Sequence, residues 1–364
     1  MTRFRRWGLV VAGILLLVAA PVVVRAWPAA PSDVRAATLL AQVRGSDDRG
    51  WSGYVETEGS LELPDADRFS DLGSLLGGRT RMRAWWRDSD HWRVDQLLVS
   101  GETDLVHDEG LTTEWDYEHA RATVSRDPGI RLPRTADLVP PVLARRLLRG
   151  VTDDDVSRIP SRRVAGRSAP GLRVVPSSDQ SSIDHVDIWA DPGTGVPLRV
   201  EVYAAGDAPA FRSAFVDFSG HRPDAADVGF TPTATTDVRF DDVLHIADAA
   251  NQYAPIRPPD SVAGLAKAAS SEGAVGVYGQ GLTEVIAIPL RDREADALRD
   301  QLEVTRGVEH LAHRTLVTLG PLGVILTGDP GDGGFLLAGT LDRAALVRAA
   351  DDVLAGFTYT GDRR

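Results

Sequence analysis

The chain has 364 residues, 40 basic and 52 acidic side chains, 43% hydrophobic residues and no cysteine. That length suits two domains, and the composition is that of a folded globular protein rather than a disordered one. A net charge of -12 argues against a nucleic-acid binder, and the lack of cysteine excludes disulfides, thiolate metal sites, thiol nucleophiles and lipid attachment through an N-terminal Cys.

Arg3, Arg5 and Arg6 precede an apolar run from Trp7 to Val24, the pattern of an export signal. Val24-Arg25-Ala26 and Pro28-Ala29-Ala30 both offer small residues for cleavage, and the run is also long enough to span a bilayer. Residues 1–26 are therefore expected to be a signal peptide or a membrane anchor, with both alternatives open. The remainder is expected outside the cytoplasm, on the outer face of the cytoplasmic membrane or in a periplasm-like space. Cleavage removes four arginines and takes the net charge from -12 to -16. A surface that acidic should not adsorb broadly to anionic headgroups.

Ser32–Arg44 predicts a helix, with Ser32 as its cap and Val34, Ala37, Leu40, Ala41 and Val43 as its apolar stripe. The period then switches to two. Val55, Thr57, Gly59, Leu61 and Leu63 alternate with polar residues, as do Met82, Ala84 and Trp86 with Arg81, Arg83 and Trp85. Trp92, Val94 and Gln96 continue the pattern, and short strands follow at 103–107, 111–117 and 120–125. This spacing predicts a meander of antiparallel hairpins. Residues 137–150 (DLVPPVLARRLLRG) interrupt it with helical period, Leu138, Val142, Leu143 and Leu147 forming one face. Pro140 and Pro141 fall in the first turn, where proline is tolerated. Strands resume at 162–165, 171–176, 183–189, 197–203 and 211–218, with the turn Asp191-Pro192-Gly193-Thr194-Gly195 between two of them.

From Gly220 to Pro259 prolines punctuate a stretch of little period, apart from a candidate helix at 241–250. The expected division is a half-barrel domain over 27–250, a linker at 251–261 and a smaller α+β domain over 262–364. In the latter, a hairpin turns at Gly279-Gln280-Gly281. Helices are expected at 291–304 and 342–354, and strands at 315–319, 323–327 and 334–339.

The search for chemistry returns little. His310 and His313 sit three apart with no third ligand nearby, so solvent-facing polarity explains them better than a metal. Asp153-Asp154-Asp155 lacks the glycine and distal glutamate of a calcium loop and suits the acidic start of a helix. The glycine-rich run 328–334 has no following lysine, and no G-x-S-x-G elbow occurs. No catalytic residues, metal or cofactor are assigned, and the chain is not expected to be an enzyme. The aromatic strand residues stand out instead. Trp85, Trp86, Trp92, Trp115 and Trp189 all fall on expected strands. An ordinary core accounts for them. The alternative is a sheet curved around an apolar cavity with helix 137–150 as its lid. Leu61, Leu63, Met82, Trp86, Trp92, Val94, Trp115, Leu138, Leu143 and Leu147 are then the expected ligand-binding residues.

The order of elements resembles the LolA-like half-barrel of lipoprotein carriers. The run Arg163-Val164-Ala165-Gly166-Arg167, followed by Asp187-Ile188-Trp189-Ala190-Asp191 and Thr194-Gly195-Val196-Pro197-Leu198-Arg199, is similar to the N-terminal domain of the RseB/MucB family. Phe211–Phe218 fits the strand that follows there. Tyr278-Gly279-Gln280-Gly281-Leu282 and Leu336-Leu337-Ala338-Gly339-Thr340-Leu341 are similar in kind to the family's C-terminal domain. The resemblance implies a LolA-like half-open antiparallel barrel with a helical lid, followed by a smaller α+β domain. It implies an envelope regulator that binds a membrane anti-sigma factor and senses a lipid or acyl chain. A lipid or lipoprotein carrier is the alternative. Lys267 is the only lysine. That arginine bias is similar to actinobacterial composition, which implies a lipid other than lipopolysaccharide.

Overall fold

The computed structural model describes residues 28–61, 70–240 and 246–360. The expected leader, Leu63 and the first half of the candidate helix at 241–250 lie outside the described residues. Where hydrophobic and polar residues alternate, strands form. β1 (Trp51–Gly59), β2 (Arg79–Trp86), β3 (His91–Leu97), β4 (Glu102–Asp108), β5 (Leu111–Asp116) and β6 (Arg121–Arg126) make one antiparallel meander. β7 (Val156–Val164), β8 (Arg167–Val174), β9 (His185–Ala190), β10 (Pro197–Tyr203) and β11 (Phe211–Ser219) make a second. β11 pairs with β1 and joins the two, while β12 (Asp237–Phe240) adds to β6 in parallel. The sheet therefore has 12 strands in the order β12-β6-β5-β4-β3-β2-β1-β11-β10-β9-β8-β7. Its two end strands do not pair with each other, so the barrel is half open, mainly β with α, as expected.

Among the described residues three helices accompany this sheet: α1 (Ala36–Arg44), α2 (Ser70–Gly77) and α3 (Pro140–Leu147), the last entered through a 3-10 turn at Thr135–Leu138. α3 is the expected lid. Its two prolines occupy the first turn, where their missing N–H groups cost no intrahelical bond. α1 differs from expectation at its start. Arg35, not Ser32, is the N-cap and offers no side-chain cap, while the Ser32 hydroxyl accepts from the Val34 N–H at 3.5 Å. Asp153–Asp155 also differs. It forms its own 3-10 turn, closed by Thr152 and Asp155, and runs into β7 rather than into a longer helix.

The turn between β9 and β10 shows what its motif does. The Asp191 carboxylate accepts from the Thr194 N–H at 2.9 Å and from its hydroxyl at 2.8 Å. Gly195 has φ +77°, and a Cβ there would sit 2.4 Å from the Gln42 carbonyl oxygen of α1. The glycine thus permits both the turn and the close approach of the helix.

The chain then passes through α4 (Ile246–Asn251), β13 (Ile256–Arg257), β14 (Ser261–Val262) and β15 (Leu265–Ala266). The second unit contains β16 (Gly276–Gln280), β17 (Thr283–Leu290), α5 (Asp292–Glu303), β18 (Glu309–Leu311), β19 (Arg314–Leu319), β20 (Leu322–Thr327), β21 (Gly334–Gly339), α6 (Arg343–Gly356) and β22 (Thr358–Tyr359). Its sheet has six strands in the order β16-β17-β21-β20-β19-β18. α6 covers the face carrying Val285, Leu316, Ile325 and Leu337, and α5 covers the face carrying Val317, Leu326 and Leu336. α4 packs on the α5 side with Val275, Val277 and Ile288. Asp342 caps α6 by accepting from the Ala345 N–H at 2.6 Å.

Candidate functional site

The inner face of the half-barrel is built from residues in one phase of the strand period. Trp51, Trp86, Trp92 and His107 are cross-strand neighbours on β1 to β4. Their rings stack in a row, with centroids 5.7, 5.4 and 5.1 Å apart and planes within 8° of parallel. Phe215 of β11 closes the row edge-on to Trp51 at 5.3 Å. Offset stacking adds to the area these rings bury. At the other end, His107 Nδ1 lies 2.9 Å from the Thr112 hydroxyl, and burial holds the imidazole below its ordinary pKa. Trp51 and His107 were not among the expected residues. Trp51 lies in phase with Val55, and extending that alternation upstream finds it.

α3 lies across two neighbouring apolar clusters. Met82, Trp86, Trp92 and Val94 belong to one, with Val139 and the half-buried Val142 from the lid. Leu138 and Leu147 belong to the other, with half-buried Leu143 beside them and Leu39, Leu40 and Val43 from α1. The four expected residues from the sheet thus share one cluster, and the three from the lid share the other. The two remaining described ones, Leu61 and Trp115, join neither cluster. Leu61 follows β1 and lies near Gly77 and Gly320. Trp115 stands on the opposite face, because it pairs with Asp104 while the inner-face partner on β5 is Thr112. It packs there against Phe230 at 5.5 Å.

That outer face carries a charge network. Arg93 bonds Asp95 and Asp104, each at 2.6 Å, and Arg83 bonds Glu102 at 2.6 Å and Asp95 at 3.2 Å. Both guanidinium carbons lie 5.7 Å from the centre of the Trp85 ring. Asp95, Glu102 and Asp104 offer oxygens within 4.8 Å of one another, a spacing a cation can use. The two guanidiniums already hold these carboxylates, so the arrangement functions as an ion-pair network. Burial, then the Asp95 charge, pushes the Asp104 carboxyl up to about 7.

The two units meet at the far end of the lid. Leu282, in the turn between β16 and β17, joins the same apolar cluster as Leu138 and Leu147. Arg146 pairs with Glu284 at 3.2 Å, and the Ser181 hydroxyl donates to the Leu282 carbonyl at 2.7 Å. The Asp342 N–H donates to the Gln180 carbonyl at 2.8 Å. A cavity of about 290 Å³ opens beside this junction, lined by α1, α3 and Pro197. A second cleft, of about 530 Å³, lies between residues 29–35 and β7 residues 158–161.

No family model matches the chain, and no curated protein matches it. Among solved structures it is similar to the Pseudomonas aeruginosa MucA/MucB complex, at 17% identity and a TM-score of 0.51, covering 90% of this chain and 99% of that one. It is also similar to MucB in complex with MucA(peri), at 17% identity and a TM-score of 0.50 with the same coverage. At that identity the likeness establishes the fold, which is RseB/MucB-like through both units.

Proposed function

We propose that this chain, with its MucB-like fold, is an extracytoplasmic regulatory protein that binds the outer segment of a membrane anti-sigma factor and responds to a lipid. The carrying observation is the extent of the likeness, 90% of this chain and 99% of a MucB chain seen together with MucA. A carrier needs only the half-barrel; conservation of the second unit's architecture favours a protein-binding regulator. The division into a half-barrel domain, a linker near 251–261 and a C-terminal domain belongs to this reading, as does export through residues 1–26.

The lipid part rests on the inner face. An alkyl chain entering between α3 and the sheet would exchange contacts among Met82, Trp86, Trp92, Val94, Leu138, Leu143 and Leu147 for contacts with itself. Each buried methylene contributes about 0.8 kcal/mol, so a chain of ~14 gains about 11 kcal/mol before the cost of displacing the lid. The same apolar face and lid support the second reading, a lipid or lipoprotein carrier.

The test is capture from membranes with the full chain as bait, repeated with a chain ending near Asp260. Recovery of an anti-sigma factor by the full chain and its loss on truncation are expected. Retention of no membrane protein, together with lipid transfer to acceptor vesicles, would replace this reading by the carrier.

A further inference from the structure

We infer that His107 is a pH-sensing latch for the lid: its protonation in a mildly acidic medium releases the segment that leads into α3 and uncovers the aromatic row. This goes beyond the partner and the lipid proposed above and depends on neither.

The position of the ring makes it a latch. His107 ends the row, stacked on Trp92 at 5.1 Å, and its side chain is 12% exposed. Nδ1 lies 2.9 Å from the Thr112 hydroxyl of β5 and 4.0 Å from Asp127 Oδ2. Asp127 follows β6 and begins the segment that runs to the lid. Arg134, in the same segment, donates to Asp127 Oδ1 at 2.7 Å, and its backbone N–H donates to the Asp137 carboxylate at 2.7 Å. Arg131 holds Asp137 by two more bonds, at 2.7 and 3.0 Å. Asp137 lies in the 3-10 turn Thr135–Leu138. Ala136 of that turn and Val139 after it pack in the cluster of Trp86 and Trp92. A continuous set of contacts therefore runs from the imidazole to the start of α3.

The charges around the ring oppose its burial. Asp127 from the lid segment, Asp90 from the β2–β3 turn and Asp108 from β4 itself favour an imidazolium, while His91 of β3 disfavours it. β5 presents the uncharged Thr112. Burial outweighs the carboxylates and holds the imidazole below its ordinary range. Opening the segment hydrates the ring and removes that penalty, so the open state takes up a proton more readily than the closed one. The sign follows by linkage. The closed state has its full advantage above about 6.5, the ordinary histidine value, and loses it as pH falls through the lowered one. Protonation also acts within the closed state, where the imidazolium draws on Asp127 and competes with Arg134 for it.

The test is hydrogen exchange of the full chain between pH 7.5 and pH 5, corrected for the intrinsic rate. Protection of residues 135–148 is expected to fall at least about threefold more than that of the β1–β11 pair, within the limit of tenfold per pH unit that one proton allows. His107→Phe keeps a ring against Trp92 and does not titrate. His107→Gln keeps a polar partner for Thr112 and does not titrate either. In both variants the relative protection of the lid is expected to be independent of pH. The same lid protection at both pH values in the parent would overturn the latch. So would a pH-dependent loss that persists in both variants, which would assign it to another group.

Discussion

Asp104 shows how much a single buried charge can ask of its neighbours. Its Oδ1 is buried without a hydrogen-bond partner among the described residues, and three carboxylates share two guanidiniums around it. Burial first, and then the Asp95 charge, raises its folded-state pKa from 3.8 to about 7. A carboxyl whose pKa rises on folding favours the folded state fully at pH below its unfolded value. That contribution is lost as pH rises through about 7. Asp104→Asn keeps an acceptor for Arg93 and adds a neutral donor facing Glu102. The variant is expected to gain about 1 kcal/mol over the parent at pH 8 and little at pH 5, read by urea denaturation at both. A difference independent of pH would show that Asp104 is ionised throughout. The sequence displayed these residues as an alternating polar face, but nothing in it indicated that two arginines from neighbouring strands would share three acids.

At the scale of the element, α3 is short for an independent helix, and its stability must come from what it covers. Leu147 is buried and Leu143 half-buried at the lid–sheet junction. Leu143→Asp leaves most of the helix's contacts in place, so the fold is expected to persist by circular dichroism. A charge at that position should cost a bound alkyl chain at least about 1.4 kcal/mol, a tenfold loss of affinity for a fluorescent fatty acid. Unchanged affinity would place the chain elsewhere. The lid was legible because its apolar residues recur at helical spacing and its prolines fall in the first turn. The hairpins of β1 to β6 were legible because the side-chain period is two. β7 was read too short. Pro160 demotes a strand in sequence, but β7 is an edge strand, and a register irregularity between Ile159 and Arg162 accommodates the ring. α2 was missed because Ser70–Gly77 carries two glycines and little helical signal. β12 was missed because its four residues are all exposed and pair in parallel with a strand far back in the chain.

For the molecule as a whole, the decisive contact joins the lid to the second unit. Gly281 has φ +63°, and a Cβ there would lie 2.2 Å from the Arg149 carbonyl oxygen and 3.1 Å from that of Leu147. Gly281→Ala must therefore move backbone as well as adopt a strained conformation. A loss of about 2 kcal/mol is expected, with hydrogen exchange rising in the β16–β17 turn and residues 146–151 but not in the β3–β4 hairpin. Exchange unchanged at that junction would mean that the two units do not hold each other there. By itself, the sequence determined most of the strands, the lid and the two-unit order, because alternation, helical spacing and turn residues act over a few neighbours. It also marked Trp86 and Trp92 as inner-face residues through strand phase alone. Only the tertiary structure decided that Trp115 faces outward, that His107 completes the aromatic row, and that Arg44, Arg145 and Arg149 converge on one cavity. Those outcomes depend on which strands pair and on where one helix end meets another, contacts between residues up to about a hundred positions apart that no local pattern encodes.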